Sequence, residues 1–173
     1  VADQFPAFVL DFNNNGPGDD WGILSTGTNG LGQKPYQRYG VLRQLASQPG
    51  TAGATVSLTG YGTDLTCNLN LTQRTSDGPI CAVTASFYTY NVDLTSGNSG
   101  SALLLNDEII GIVTHCPCCN VATRIDNPDI ATAISNLCPP SELGTTTLPF
   151  FDDVPNSALD RSEEHTSELQ SPD

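Results

Sequence analysis

Short runs of β-branched and aromatic residues, each closed off by Gly, Asn, Asp or Pro, recur along this chain and constrain its fold more than any other feature. Such runs suit the half-buried pleated surface of a strand and are broken too often for long helices, so they predict an all-β sandwich or barrel. Strands are expected over Ala7–Phe12, Trp21–Ser25, Ala54–Thr59, Leu65–Gln73, Ile80–Tyr90, Ser101–Leu105, Ile109–Thr114 and Val121–Ile125. Asn106-Asp107, set between two apolar runs, reads as a tight hairpin turn. One helix is expected. Asn127 offers a cap, Pro128 a first-turn proline, and Ile130, Ile134 and Leu137 recur at helical spacing until Cys138-Pro139-Pro140 ends it.

At 173 residues and 38% hydrophobic, the chain can bury the core of one ordinary domain or of two small barrels sharing an interface. The longest apolar runs, Ala102–Leu105 and Ile109–Val113, are strand-length, well short of the roughly 18 residues of a membrane-spanning helix, so no membrane partner is expected. Nineteen acidic residues against 6 basic give a net charge of −13, which leaves nucleic-acid phosphates no electrostatic attraction and excludes them as partners. The run Arg161 to Pro172 (RSEEHTSELQSP) reads as a translated sequencing-library adapter, so residues 161–173 are set aside as a non-native tail. That removes His165 and leaves His115 as the histidine of interest. Segment 139–160 loosens into Pro, Thr, Ser and Asp, a linker or, from Phe150-Phe151-Asp152-Asp153, the start of a further domain.

Six cysteines (Cys67, Cys81, Cys116, Cys118, Cys119 and Cys138) and no methionine suit an oxidising, secreted setting, with disulfides as the expected state. Cys67 and Cys81 flank a hairpin-like stretch and make the economical bridge. Cys116-Pro117-Cys118-Cys119 lacks the two-residue gap of zinc knuckles, so neither a metal nor another cofactor is expected. Asp11, Asn13, Asn15 and Gly16 match the opening of a calcium-binding loop, but position twelve falls on Gly22 instead of glutamate, and a polar hairpin turn is the better reading.

Gly97-Asn98-Ser99-Gly100-Ser101 lies between a β-rich run and an apolar hairpin. Small residues around Ser99 let the backbone approach a substrate carbonyl, and the N–H groups of Gly97 and Ser99 can converge on an oxyanion. The segment Asp93 to Ala102, continued by Leu103–Leu105 and by Gly111-Ile112-Val113-Thr114, resembles the nucleophile region of chymotrypsin-fold, trypsin-like serine endopeptidases. It looks most like the bacterial branch with glutamyl- and lysyl-specific enzymes. Asp20-Trp21-Gly22-Ile23-Leu24 resembles that family's aspartate and following strand, Thr59-Gly60-Tyr61-Gly62 an early strand of its second barrel, and Ala122-Thr123-Arg124-Ile125 with the helix its end. The likeness covers about Pro6 to Leu137, with four landmarks in order.

The resemblance implies a double β-barrel: residues 1–45 as the remnant of the first barrel and the connection, and 46–138 as the second barrel with its C-terminal helix. It implies a monomeric endopeptidase acting on a protein or peptide substrate, with Ser99 as nucleophile and Asp20 as the acid that orients a histidine. Asp19 and Asp20 are separated only by the register of the strand that follows. The family's histidine precedes the aspartate by several tens of residues, and only 19 residues precede Asp20, so the chain reads as truncated before its base and inactive alone. His115 follows the strand that resembles the substrate-binding wall and is assigned, with Val113 and Thr114, to the pocket. Asp93, six residues before Ser99, stands where trypsin-like members carry the acid that selects Arg or Lys. Val113 replaces the histidine of the glutamyl-specific enzymes, and Asn98 the aspartate that receives a released N-terminal amine in digestive ones. The competing readings are a non-catalytic binding module on the same fold and a cysteine-rich metal-binding domain.

Overall fold

The computed structural model describes residues 4–64, 66, 70–115 and 119–137, with the backbone of 149–150. Its elements in chain order are β1 (Ala7–Asn14), β2 (Asp20–Thr26), α1 (Pro35–Tyr39), β3 (Arg43–Gln44), β4 (Thr55–Gly60), β5 (Arg74–Val83), β6 (Phe87–Tyr90), β7 (Ala102–Leu105), β8 (Glu108–His115), β9 (Asn120–Arg124), α2 (Pro128–Leu137) and β10 (Pro149–Phe150). Strands β4 to β9 close into an antiparallel barrel in the order β4-β5-β6-β9-β8-β7, and β1 and β2 form a separate hairpin sheet. β10 pairs with β3, so Phe150 lies beside Arg43 in a two-stranded ladder.

Alternation fills the barrel. Val56 and Leu58 of β4 point inward, as do Tyr88 and Tyr90 of β6, Leu103 of β7 and Ile110 and Val113 of β8, and together they form the main core. Tyr88 is wholly buried, and its hydroxyl accepts the Gly50 N–H at 3.0 Å; desolvation raises the pKa of that hydroxyl. A second cluster lies outside the barrel wall, where Trp21 and Ile23 of β2 meet Ile125, Ile130 and Ala133 at the start of α2, with Ile112 of β8 packed against them.

The Asn106-Asp107 turn forms as expected, with φ of 52° and 71°. Asn127 caps α2 as the sequence predicts: its Oδ1 accepts the Asp129 N–H at 2.9 Å and its Nδ2 donates to Gly18 O at 2.8 Å, tying the β1–β2 hairpin to the helix. Two strand expectations need correction. The stretch Leu65–Gln73 is not a strand among its described residues, because pairing with β4 begins only at Arg74. The single run Ile80–Tyr90 divides into β5 and β6 at a turn closed by Thr84 Oγ1, which accepts the N–H groups of Ser86 at 3.3 Å and Phe87 at 2.9 Å. Gly78, which reads as punctuation, is inside β5 because a Cβ there would lie 1.8 Å from Asn91 O.

Leu103 has no exposed surface and sits where β7 joins both β4 and β8, so Leu103→Ala is expected to lower unfolding free energy by about 2–5 kcal/mol, read from urea denaturation. Arg124 of β9 forks onto Asp126, with Nε at 2.8 Å from Oδ1 and Nη2 on Oδ2, and this hydrogen-bonded guanidinium holds the Asp126 carboxyl below its ordinary value of 3.8. A carboxylate depressed in the fold contributes stability above its unfolded pKa and loses it as pH falls through the folded one. The urea midpoint of the wild type should therefore drop more between about pH 5 and pH 2 than that of Asp126→Asn, by a modest margin since the pair is partly solvated.

Candidate active site

The loop that carries Ser99 leaves the barrel between the exit of β4 and the middle of β8. Thr95 O accepts the Asn98 Nδ2 at 2.9 Å, Asn98 O accepts the Ser101 N–H at 3.1 Å, and Gly97 and Gly100 turn the chain with φ of 91° and 84°. Gly100 N–H donates to Val113 O at 2.8 Å and Val113 N–H to Ser101 O at 3.0 Å, fastening the loop to β8. Ser99 is left exposed on the crest, its Oγ donating to Thr114 O at 3.3 Å.

Asn98 lies beneath the crest at 6% exposure, under the segment Gly60–Gly62. A Cβ at Gly60 would fall 2.0 Å from Asn98 Oδ1, and one at Gly62 would fall 2.3 Å from its Nδ2. Both glycines are thus required by close approach of the backbone to this side chain.

The structure separates the two adjacent acids at the start of β2. Asp19 closes the β1–β2 hairpin, with Asn13 Nδ2 on Oδ1 at 2.8 Å and Asn15 Nδ2 on Oδ2 at 3.0 Å, and its backbone is bonded to Asn15 and Gly16. The Asp20 carboxylate has no hydrogen bond among the described residues, is half-buried, and precedes Trp21, which packs in the second cluster with Ile112 of β8. Asp11, Asn13 and Asn15 serve this hairpin, and no metal-holding group of His, Cys, Asp and Glu occurs among the described residues.

Val113, Thr114 and His115 follow one another along β8, past a bulge that sets His115 opposite Val121. His115 Nδ1 is buried without a hydrogen-bond partner among the described residues. Asp93 is exposed and lines a cleft of about 50 Å³ on the β4–β5 side of the loop, with Arg74, Thr95 and Asn98 among its walls. Ser99, Val113, Thr114 and His115 do not line that cleft. Cys81 and Cys119 are exposed free thiols, whereas Cys67, Cys116, Cys118 and Cys138 lie outside the described residues, as does the tail 161–173.

A family model described as Trypsin matches residues 33–139. The chain belongs to the trypsin family. Among solved structures it is similar to a Glu endopeptidase, at 20% identity and a TM-score of 0.61 over 76% of this chain and 63% of that one. It is also similar to the active form of the Rv3671c protease of M. tuberculosis, at 20% identity and a TM-score of 0.55 over 85% and 62%. A third likeness, to the inactivated protease paralogue S-I1 of the scabies mite, has 15% identity and a TM-score of 0.55 over 76% and 66%. No curated protein sequence matches the chain. The chain spans less than two thirds of the length of the Glu endopeptidase. These likenesses carry the fold, and the all-β, chymotrypsin-like class stands, with β4 to β9 and α2 as the second barrel and its helix.

Two features of this trypsin-family site escaped the sequence. Asn127 reaches 109 residues back to hold the hairpin that bears Asp20, and Thr63 contacts the Ser99 loop from the exit of β4. Neither carries a motif, although the paired glycines at 60 and 62 signal that a backbone must pass close to something. Gly60→Ala is expected to destabilise by about 1–3 kcal/mol, because its Cβ has to displace both Asn98 Oδ1 and Ser101 Oγ. Denaturant unfolding measures the loss.

Proposed function

We propose that this chain carries the nucleophile, the oxyanion donors and the orienting acid of a secreted, monomeric serine endopeptidase, nearest to the bacterial branch that holds glutamyl- and lysyl-specific enzymes. One observation carries the reading: Ser99 is held exposed on a loop with left-handed glycines at 97 and 100, fastened by backbone bonds to β8, with its hydroxyl beside Thr114 O. In the reaction Ser99 Oγ bonds to the scissile carbonyl carbon of a protein or peptide substrate while its proton passes to a base. The resulting oxyanion lies against the N–H groups of Gly97 and Ser99. The C–N bond then breaks, the amine leaves with that proton, and water releases the acyl group and restores the serine.

The base is a histidine supplied by a part of the full-length protein outside this chain, and Asp20 orients it. Two observations support this. Among the described residues no imidazole is bonded to Ser99, and His115 sits on the wall with its Nδ1 unpartnered. Furthermore, β1 exposes Phe8 at 61%, Val9 at 63% and Phe12 at 67%, residues on both faces of the strand, as in a sheet whose covering layer comes from elsewhere. The lack of a bonded base also favours a second reading, a binding module on a protease-like fold.

The two readings part in one experiment. The full-length protein should hydrolyse peptide amides and label at Ser99 with a fluorophosphonate, both abolished by Ser99→Ala and reduced about 10⁴-fold in kcat by Asp20→Asn. The 173-residue chain alone should show no turnover. A full-length protein that neither turns over substrate nor labels is the binding module.

A further inference from the structure

One triplet of the form Asn-x-Ser/Thr, with x other than proline, occurs in the sequence: Asn70-Leu71-Thr72. This is the acceptor pattern for N-linked sugar, and it marks a usable site only where the finished fold leaves the asparagine in solvent on a loop. The fold does so here. Asn70 and Leu71 form a turn between β4 and β5, and all three residues of the triplet are exposed. Backbone bonds build that turn: Asn70 N–H donates to Thr66 O at 3.1 Å and Leu71 N–H to Gly62 O at 3.3 Å, while Arg74 Nη1 meets Asp64 Oδ2 at 2.7 Å across its base. The Asn70 amide is held by its oxygen alone. Its Oδ1 accepts the Asp64 N–H at 2.9 Å, and its Nδ2, the atom that carries the sugar in such a linkage, makes no hydrogen bond among the described residues.

We propose that Asn70 is an N-glycosylation site, whose Nδ2 takes an oligosaccharide from a lipid-pyrophosphate carrier; this rests on the secreted reading above and is independent of the acyl-transfer one. In the transfer Nδ2 bonds to C1 of the first sugar, the C1–O bond to the carrier breaks, the lipid pyrophosphate leaves as an anion, and one Nδ2 proton passes to a base of the transferase. The transferase reads the Thr72 hydroxyl in the extended chain before folding, so the interaction that Thr72 makes in the fold does not oppose the reaction. What the fold has to supply is room at Nδ2 and a use for Oδ1. The amide carbonyl survives the modification, so Oδ1 keeps the Asp64 N–H and the turn stands unchanged. The site also has an exposed apolar surface for hydrated sugar to shield, since Leu71 is 45% exposed and Tyr61, next to the Gly62 that holds Leu71, is 41% exposed.

The test is made on the full-length protein recovered from the culture fluid of its source. Mass spectrometry of the peptide that contains Asn70 should show added hexose and N-acetylhexosamine, removed by a peptide N-glycosidase that leaves residue 70 deamidated. In a secreting yeast, Asn70→Gln and Thr72→Ala should each lower sugar occupancy at least about tenfold, and Thr72→Ser should retain it. Thr72→Ala keeps Asn70 and its bond to the Asp64 N–H, so a loss of sugar there does not trace to a lost hydrogen bond of the turn. Secreted protein with a bare Asn70 overturns the proposal, and so does sugar at Asn70 that persists in Thr72→Ala. Protein found only inside the cells, bare at Asn70, overturns it as well and takes the secreted reading with it. Ser99-dependent turnover is measured separately and stands or falls without bearing on the sugar.

Discussion

Closure of the barrel between β4 and β7 is the constraint on which the candidate site depends. Ser57 and Leu58 pair with Leu104 and Leu103, and β7 is held on its other edge by β8. Ala102, the first residue of β7, follows directly on the Ser99 loop. The loop has to leave the wall in the narrow interval between the end of β4 and Val113–Thr114 of β8, and it is bonded on both sides. A slip of one residue in the β4–β7 register would turn Leu103 out of the core and carry Ser99 about 3.4 Å along the barrel. The position of Ser99 is thus enforced by the burial of a wholly buried leucine four residues away.

The acid depends on a different set of contacts. Asp20 opens a hairpin that is not hydrogen-bonded into the barrel sheet, and its placement comes from Trp21 and Ile23 packing against α2 and Ile112, and from Asn127 bonding Gly18 O. Gly18 is itself hemmed in, for a Cβ there would lie 2.3 Å from Ser86 Oγ at the β5–β6 turn. One buried asparagine thereby performs two tasks, capping α2 and docking the hairpin, and it adds a polar tie between the C-terminal helix and the hairpin of Asp20 to the packing of Trp21 and Ile23.

These arrangements explain which parts were legible in the sequence. Most barrel strands, the Asn106-Asp107 turn and the capped helix follow from local rules of alternation, turn chemistry and capping and appear within a residue or two of expectation; the exceptions are Leu65–Gln73, which forms no strand among its described residues, and Ile80–Tyr90, which begins earlier at Arg74 and divides in two. Gly78-Pro79 looks like a strand boundary, yet the strand continues because the glycine admits the Asn91 carbonyl and Pro79 needs no N–H to accept the bond from Asn91. The choice between Asp19 and Asp20 was illegible because both are short acids at the same strand start, and only the positions of Asn13 and Asn15 show which one the hairpin uses. The offset of Asp93 from Ser99 is a count along the chain. It does not by itself name the residues the carboxylate meets, and the cleft that Asp93 lines also holds Arg74, Thr95 and Asn98.

Asn98 shows how much of the site is built from neutral contacts. Its Nδ2 donates to Thr95 O, and its amide is enclosed by the two glycines of β4 and its exit at 6% exposure. An aspartate in the same seat would turn a carboxylate oxygen toward the lone pairs of Thr95 O and would have to be buried as an anion, which costs several kcal/mol without a cation brought to it. Where a family member carries that aspartate, a newly released amine can supply the cation, and order in the loop then waits on proteolysis. With asparagine the hydrogen bond is available as soon as the barrel closes, and it is indifferent to pH because neither partner titrates. The loop order in this chain is therefore a property of the β4–β7 closure and the glycines beside it, set by the fold before any charged partner is needed.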